Sequence, residues 1–219
     1  MFQLIPRIII SILVLFVILS CATIQPDAAA ESSAAVSEVS EEGRAVSVSD
    51  AEKPLPPEMI MGRGNVSAEK MAGFLLTNNS GADSDFVHNL AGFYVYEAAF
   101  EGVNHDIAFI QMCLETGFLR FGGLVQPQWN NFAGLGAIGP EQPGLVFPDV
   151  RTGVRAHVQH LKAYGSAEPL NGELVNPRFR YVQRGRAPSY EGLAGTWAAD
   201  RQYGVKLRDI LTRLYDYSF

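Results

Sequence analysis

The chain has 219 residues, 17 basic and 23 acidic side chains, and a formal net charge of -6. That balance argues against a protein held on nucleic acid by a basic surface, and two cysteines are too few for a disulfide framework or a thiolate metal site. The length allows one domain of roughly 150 residues plus extensions, enough for a substantial core.

Arg7 precedes an apolar run over 8–19 that is broken by Ser11 alone. The run is shorter than the about 20 residues a membrane span needs, and it suits the apolar region of a secretory signal. Ile18-Leu19-Ser20-Cys21 follows and resembles a bacterial lipobox, with Leu19 a departure from the commonest pattern. The reading is a lipoprotein signal peptide over 1–20 with Cys21 as the lipidated residue; an uncleaved signal anchor is the alternative. Over 21–64 the chain is rich in Ala, Ser, Glu and Pro, without aromatics. Too little apolar surface is present there to offset chain entropy, so this stretch reads as a disordered acidic tether. The remaining domain carries 15 acidic and 13 basic side chains, so the acidity belongs mostly to the tether.

Ser67 is the expected N-cap of a first helix reaching Asn78, with Met71, Phe74 and Leu75 on its inner face. Asp83 or Ser84 opens a second helix running through Phe100, with Phe86, Leu90, Phe93 and Ala98 inward and Gly102 ending it. Glu97 and Glu101 lie one turn apart on it and read as a solvated face. His88 and His105 read as capping or surface groups. From His105 onward, Ile107, Phe109, Ile110, Met112, Cys113 and Leu114 make a third helix apolar round most of its circumference, hence buried, and Thr116-Gly117 stops it. Cys113 is then a buried thiol filling core volume.

Glu115 closes that third helix. Ionising a carboxylate among such neighbours is costly, so its pKa should rise toward values useful for a general acid. A plainer reading sends it to solvent or pairs it with Arg120. The stretch 121–148 is rich in Gly, Pro and Asn, with one short β-hairpin at most. Within it, Trp129, Asn131 and Phe132 sit among glycines that allow close approach of a ligand. Asp149 is the expected cap of a helix over 151–164 whose core stripe is Val154, Val158 and Leu161. His157 and His160 have the spacing of a zinc pair but lack a third ligand, and no metal is assigned. The segment 176–186 interleaves four arginines with aromatics. Asp200 is the expected cap of a last helix carrying Val205, Leu207, Ile210, Leu211 and Leu214.

Four blocks in order carry a family resemblance. They are Gln111-x-x-Leu-Glu-Thr-Gly-Phe; Asn131-Phe-Ala-Gly-Leu-Gly; Phe147 ahead of Thr152-Gly-Val-Arg-Ala-His-Val-Gln-His-Leu; and Trp197-Ala-Ala-Asp-Arg-Gln-Tyr-Gly-Val-Lys-Leu. Together, over 65–217, they resemble the glucosaminidase domain of glycoside hydrolase family 73. The resemblance implies a mostly α, lysozyme-like, two-lobed domain of about six helices with a cleft between the lobes. It also implies an endo-acting β-N-acetylglucosaminidase cutting the GlcNAc-(1→4)-MurNAc linkage of peptidoglycan without a cofactor, as a monomer.

Under that resemblance Glu115 is the general acid and Tyr203 matches a tyrosine that faces the cleft. Glu141, ahead of Asp149, is the candidate second acid; the substrate's own N-acetyl oxygen is the alternative. Trp197 stands where many members have Tyr and keeps a stacking role. Trp129, Asn131, Phe132 and Asp149 are assigned to substrate binding, and the 176–186 loop to the border of the glycan groove. Rival readings are a muramidase or lytic transglycosylase of the same fold, or a non-catalytic peptidoglycan-binding lipoprotein. The expected location is the periplasmic side of the envelope, on the outer membrane, with the lipid as membrane contact.

Overall fold

The computed structural model describes residues 53–219, so the signal segment, Cys21 and most of the tether lie outside the described residues. Among the described residues the chain is mostly helical, with five α-helices and three short 3-10 turns. Its β structure is limited to isolated bridges such as Met59 with Ser189 and Met61 with Val103. No described helix is long and apolar enough to cross a membrane.

Helix α1 is Ala68–Asn78; the Ser67 hydroxyl accepts from the Lys70 amide and so satisfies one free N–H of the first turn. Helix α2 is Ser84–Glu101. It is capped by the Asp83 carboxylate on the Phe86 amide and stopped by Gly102, whose φ of 73° favours glycine. Helix α3 is His105–Glu115, capped by the Asn104 side chain. Nine of its residues, His105 to Cys113, are buried, which fits its apolar circumference. Helix α4 is Val150–Gly165, capped by Asp149, and α5 is Tyr203–Ser218. Helix α2 packs between α1 and α4, and α3 packs against α2, α4 and α5.

Several expectations are corrected. Over 53–64, read as part of the tether, the chain packs against the domain at Ile60, while the rest of the tether lies outside the described residues. Ile60 is fully buried, its N–H donates to Pro188 O at 2.9 Å, and its carbonyl accepts from Asn104 at 2.8 Å. Glu97 and Glu101 are buried, not solvated, because α4 presents Arg151, Arg155 and Lys162 to that face of α2. Glu97 meets Arg151 at 2.5 Å and Arg155 at 2.8 Å; Glu101 meets Lys162 at 2.9 Å and also accepts from the amides of Asn171 and Gly172. Burial pushes the Glu97 carboxyl up, and the bonds and charges of Arg155 and Arg151 more than offset this, leaving it below its ordinary range.

His105 is buried, with Nε2 3.0 Å from Val66 O, while His88 is exposed as expected. On α2, Leu90 and Ala98 are buried as expected and Phe93 packs against the core, joined by Val87, Ala91 and Tyr94, while Phe86 is 37 % exposed. Asp200 lies three residues before α5 and accepts from the Gln202 amide at 2.8 Å instead of capping the helix, and Val205 faces outward.

Candidate active site

The buried body of α3 carries Glu115 out to the helix end, where one side of its carboxyl opens to solvent. The chain then turns through an unusual run: φ is positive at Gly117, Phe118, Leu119, Phe121 and Gly122. Each non-glycine residue held there costs about 1–3 kcal/mol, so neighbouring contacts must over-determine the turn. Thr116 is one such contact. Its hydroxyl donates to Met112 O at 2.8 Å and accepts from the Leu119 amide at 2.9 Å. Asn79 donates to Phe118 O, and Arg120 donates to the carbonyls of Gly117 and Asn78. Arg120 is thereby committed to main chain, and no ion pair joins it to Glu115 among the described residues.

Against the open side of Glu115 lies a cavity of about 150 Å³, whose walls include Phe121, Leu124, Val125, Asn131 and Gly134. Glu115 is the one acidic residue in that lining among the described residues. A larger hollow of about 750 Å³, between 62–68 and the ends of α2 and α3, has no carboxylate in its walls.

Two donors fix the carboxyl. The Tyr203 hydroxyl, from the first residue of α5, donates to Glu115 Oε1, and the Trp197 indole N–H donates to the same oxygen at 2.9 Å. Oε2 receives neither bond and lies on the side of Gly134, where an added Cβ would sit 3.7 Å from it. Burial raises the Glu115 pKa, and the bonds from Tyr203 and Trp197 pull it down by less, so the group stays above its ordinary value. With Oε1 saturated by donors, a proton on this carboxyl belongs on Oε2, facing the cavity.

Trp197 is held by an aromatic bed on α4. Its ring lies 5.8 Å from His157, 5.1 Å from His160 and 5.3 Å from Tyr164, centroid to centroid. These are ordinary aromatic packing distances, and they aim the indole N–H at Glu115. Both histidines are neutral: burial lowers His157 to about 3, and burial together with the charge of Arg178 lowers His160 to about 4. The His157 nitrogens are taken by Tyr94 and Gln111, and His160 Nδ1 contacts Asn176 Nδ2 at 2.8 Å. No three His, Cys, Asp or Glu side chains converge as a metal site among the described residues.

The remaining sequence candidates are placed differently. Asn131 lines the cavity but is almost fully buried, and its amide staples the loop by bonding Leu135 and Leu145 main chain at 2.9–3.0 Å. Phe132 is 1 % exposed and sits in the core, so it offers no face to a ligand. Its pattern of aromatics among glycines was legible in the sequence, whereas the side of the loop that faces inward was not. Trp129 is half-buried in the 3-10 turn Pro127–Trp129, outside the cavity walls. Glu141 is exposed in a turn bridged by Gly139 and Gln142, also outside the walls. Asp149 accepts from the Thr152 amide and hydroxyl, both at 2.8 Å, as a helix cap does. In the 176–186 loop, Arg178 and Arg180 lie over Tyr181 and Arg184 over Phe179.

A mostly helical domain with a carboxyl of raised pKa at a cavity edge is compatible with a lysozyme-like fold. Comparison with known proteins agrees. Residues 91–216 match the family model of glucosaminidases described as mannosyl-glycoprotein endo-beta-N-acetylglucosaminidase. The chain belongs to this glucosaminidase family, a family of glycoside hydrolases. It is also similar to an uncharacterized protein of Borreliella burgdorferi (strain ATCC 35210 / DSM 4680 / CIP 102532 / B31). The two are 40 % identical over 167 residues, which cover 76 % of this chain and 81 % of that one.

Proposed function

We propose that the protein is an endo-acting β-N-acetylglucosaminidase that hydrolyses the GlcNAc-(1→4)-MurNAc backbone of peptidoglycan, with Glu115 as general acid. The observation that carries this reading is the one-sided bonding of Glu115, which leaves Oε2 free to hold a proton toward the cavity. That proton passes to the departing O4 of MurNAc as the bond to the GlcNAc anomeric carbon breaks. Tyr203 and Trp197 then stabilise the carboxylate that forms, through bonds that strengthen as charge develops on it. With no second acid in the cavity walls among the described residues, the N-acetyl oxygen of the substrate is the nucleophile in this reading. Water subsequently opens the cyclic intermediate, with Glu115 taking its proton.

Digestion of purified peptidoglycan, with mass spectrometry of the fragments, tests the whole. Wild type should leave reducing-end GlcNAc; reducing-end MurNAc would make the enzyme a muramidase, and an anhydro-MurNAc end a lytic transglycosylase. Glu115→Gln should lower turnover by about 10² to 10⁴. Glu141→Gln should retain it; a comparable loss in that variant would install Glu141 as the base and displace the N-acetyl route.

The reading extends to lipid anchoring at Cys21 on the periplasmic side of the outer membrane, motivated by Ile18-Leu19-Ser20-Cys21. Labelled palmitate should enter wild type and not Cys21→Ala. Absence of label from the wild type would end the anchoring proposal.

A further inference from the structure

Behind Tyr203 a file of buried polar groups runs through the core. Gln111 Nε2 donates to the Tyr203 hydroxyl at 3.0 Å; Gln111 Oε1 is 2.9 Å from His157 Nε2; His157 Nδ1 is 2.8 Å from the Tyr94 hydroxyl. Gln111, His157 and Tyr94 are each fully buried and come from α3, α4 and α2. A file of this kind is self-consistent in two senses, with all protons pointing toward Glu115 or, with the Gln111 amide turned over, all pointing away.

Its far end decides between them. Tyr94 has His157 as its one hydroxyl partner among the described residues. If the file ran away from Glu115, His157 Nδ1–H would donate to Tyr94, and the Tyr94 proton would be buried without an acceptor. An orphaned buried donor is costly, so Tyr94 donates. His157 then carries its proton on Nε2 and gives it to Gln111 Oε1. Gln111 gives its N–H to Tyr203, and Tyr203 is left to donate to Glu115.

We propose that Gln111, oriented by His157 and Tyr94, is a positioning residue that holds the Glu115 proton on the cavity-facing oxygen. By occupying the acceptor side of Tyr203 it prevents the protonated carboxyl from donating to that hydroxyl. The dissociable proton is therefore kept on Oε2, where the leaving group arrives. The inference rests on Glu115 being the general acid. Four core groups are arranged to no other evident end, since aliphatic side chains would fill the same volume without their desolvation.

The groups facing this network are Tyr203 on α5, Tyr94 on α2, and His157, His160 and Tyr164 on α4. Arg178 acts on His160, and Arg213 on α5 acts on Cys113. Gln111→Met removes the N–H given to Tyr203. The Glu115 carboxylate then loses a polarised donor, and its protonated form gains Tyr203 as an acceptor. Both effects favour the proton.

The test is a carbon-13 NMR titration of Glu-labelled protein, with the Glu115 signal identified by its absence in Glu115→Gln. In Gln111→Met the Glu115 midpoint should move up by about one pH unit, the scale of one hydrogen bond. The alkaline limb of kcat should follow it, with kcat on the plateau about tenfold lower and KM unchanged. Gln111→Leu, which also removes the N–H and adds no charge, supplies the second variant if the methionine form folds poorly, and it should move the midpoint the same way. A lower melting temperature with an unmoved Glu115 midpoint would reduce Gln111 to a structural residue and overturn the proposal. Full activity in Glu115→Gln would instead overturn the general-acid reading, while the titration still reports whether Gln111 governs the proton.

Discussion

At the scale of the residue, Glu115 is costly to the fold at neutral pH. A carboxyl whose native pKa lies above its unfolded one holds its proton more tightly in the native state. The stability it contributes is complete below the unfolded pKa and is lost as pH rises through the native value. The amide in Glu115→Gln suffers no such loss. That variant should melt above wild type near pH 7, and the gap should close below about pH 4. A gap of the same size at both pH values would mean that Glu115 titrates alike in native and unfolded chains. Much of this residue was legible in advance, because an apolar run of α3 ending in a lone acid is a local pattern. Its partners were not. Tyr203 and Trp197 stand 88 and 82 positions away, and Gln111, named only as the first residue of its block, was given no role although it sits one turn before Glu115. His157 was noticed only for its spacing from His160, on which no metal was assigned, and nothing in that spacing showed that its nitrogens are spent on Tyr94 and Gln111.

At the scale of the element, α2 and α4 are joined by charge as well as by apolar packing. Glu101 and Lys162 form a pair that is 0 % and 3 % exposed on their side chains, and the same carboxylate holds the amides of Asn171 and Gly172 in the loop after α4. Removing one partner of such a pair leaves a buried charge without compensation. Lys162→Met should therefore cost about 3–5 kcal/mol in urea unfolding, a loss that Glu101→Gln in the same chain should partly restore. A single-variant cost under about 1 kcal/mol would mean that water reaches the carboxylate. The helices themselves were readable, since Ser67, Asp83, Gly102 and Asp149 mark their ends by short-range chemistry. Part of the buried face of α2 was readable, since Leu90 and Ala98 are buried as expected, but the burial of Glu97 and Glu101 was not. Two glutamates one turn apart look solvated until Arg151, Arg155 and Lys162 arrive from a helix some fifty to sixty positions on. Ile60 escaped notice likewise, because its partners Pro188 and Asn104 lie far along the chain.

At the scale of the whole molecule, the order of attachment along α3 matters. The segment that leads in from the tether is stitched to the body at Ile60, whose carbonyl takes the Asn104 amide at the start of α3, and at Met61 beside Val103. Glu115 stands at the other end of that helix, about 15 Å away at 1.5 Å per residue. If the protein is held by lipid at Cys21 while its substrate is part of a stretched wall, tension enters at the first end and the bond is cut at the second. The first stitch to feel the load is the exposed Lys53–Asp216 pair, and next come those at 58–62, held by Pro188, Tyr190, Gly102 and Asn104. The carboxyl and its two donors on α5 and the Trp197 loop lie beyond them. In a pulling experiment from the N-terminus, the leading segment should therefore detach at lower force than the body, and cleavage should continue after it has peeled away. The enzyme would then work as a cutter on a slack-absorbing strap, with several residues of stored length released before its blade is disturbed.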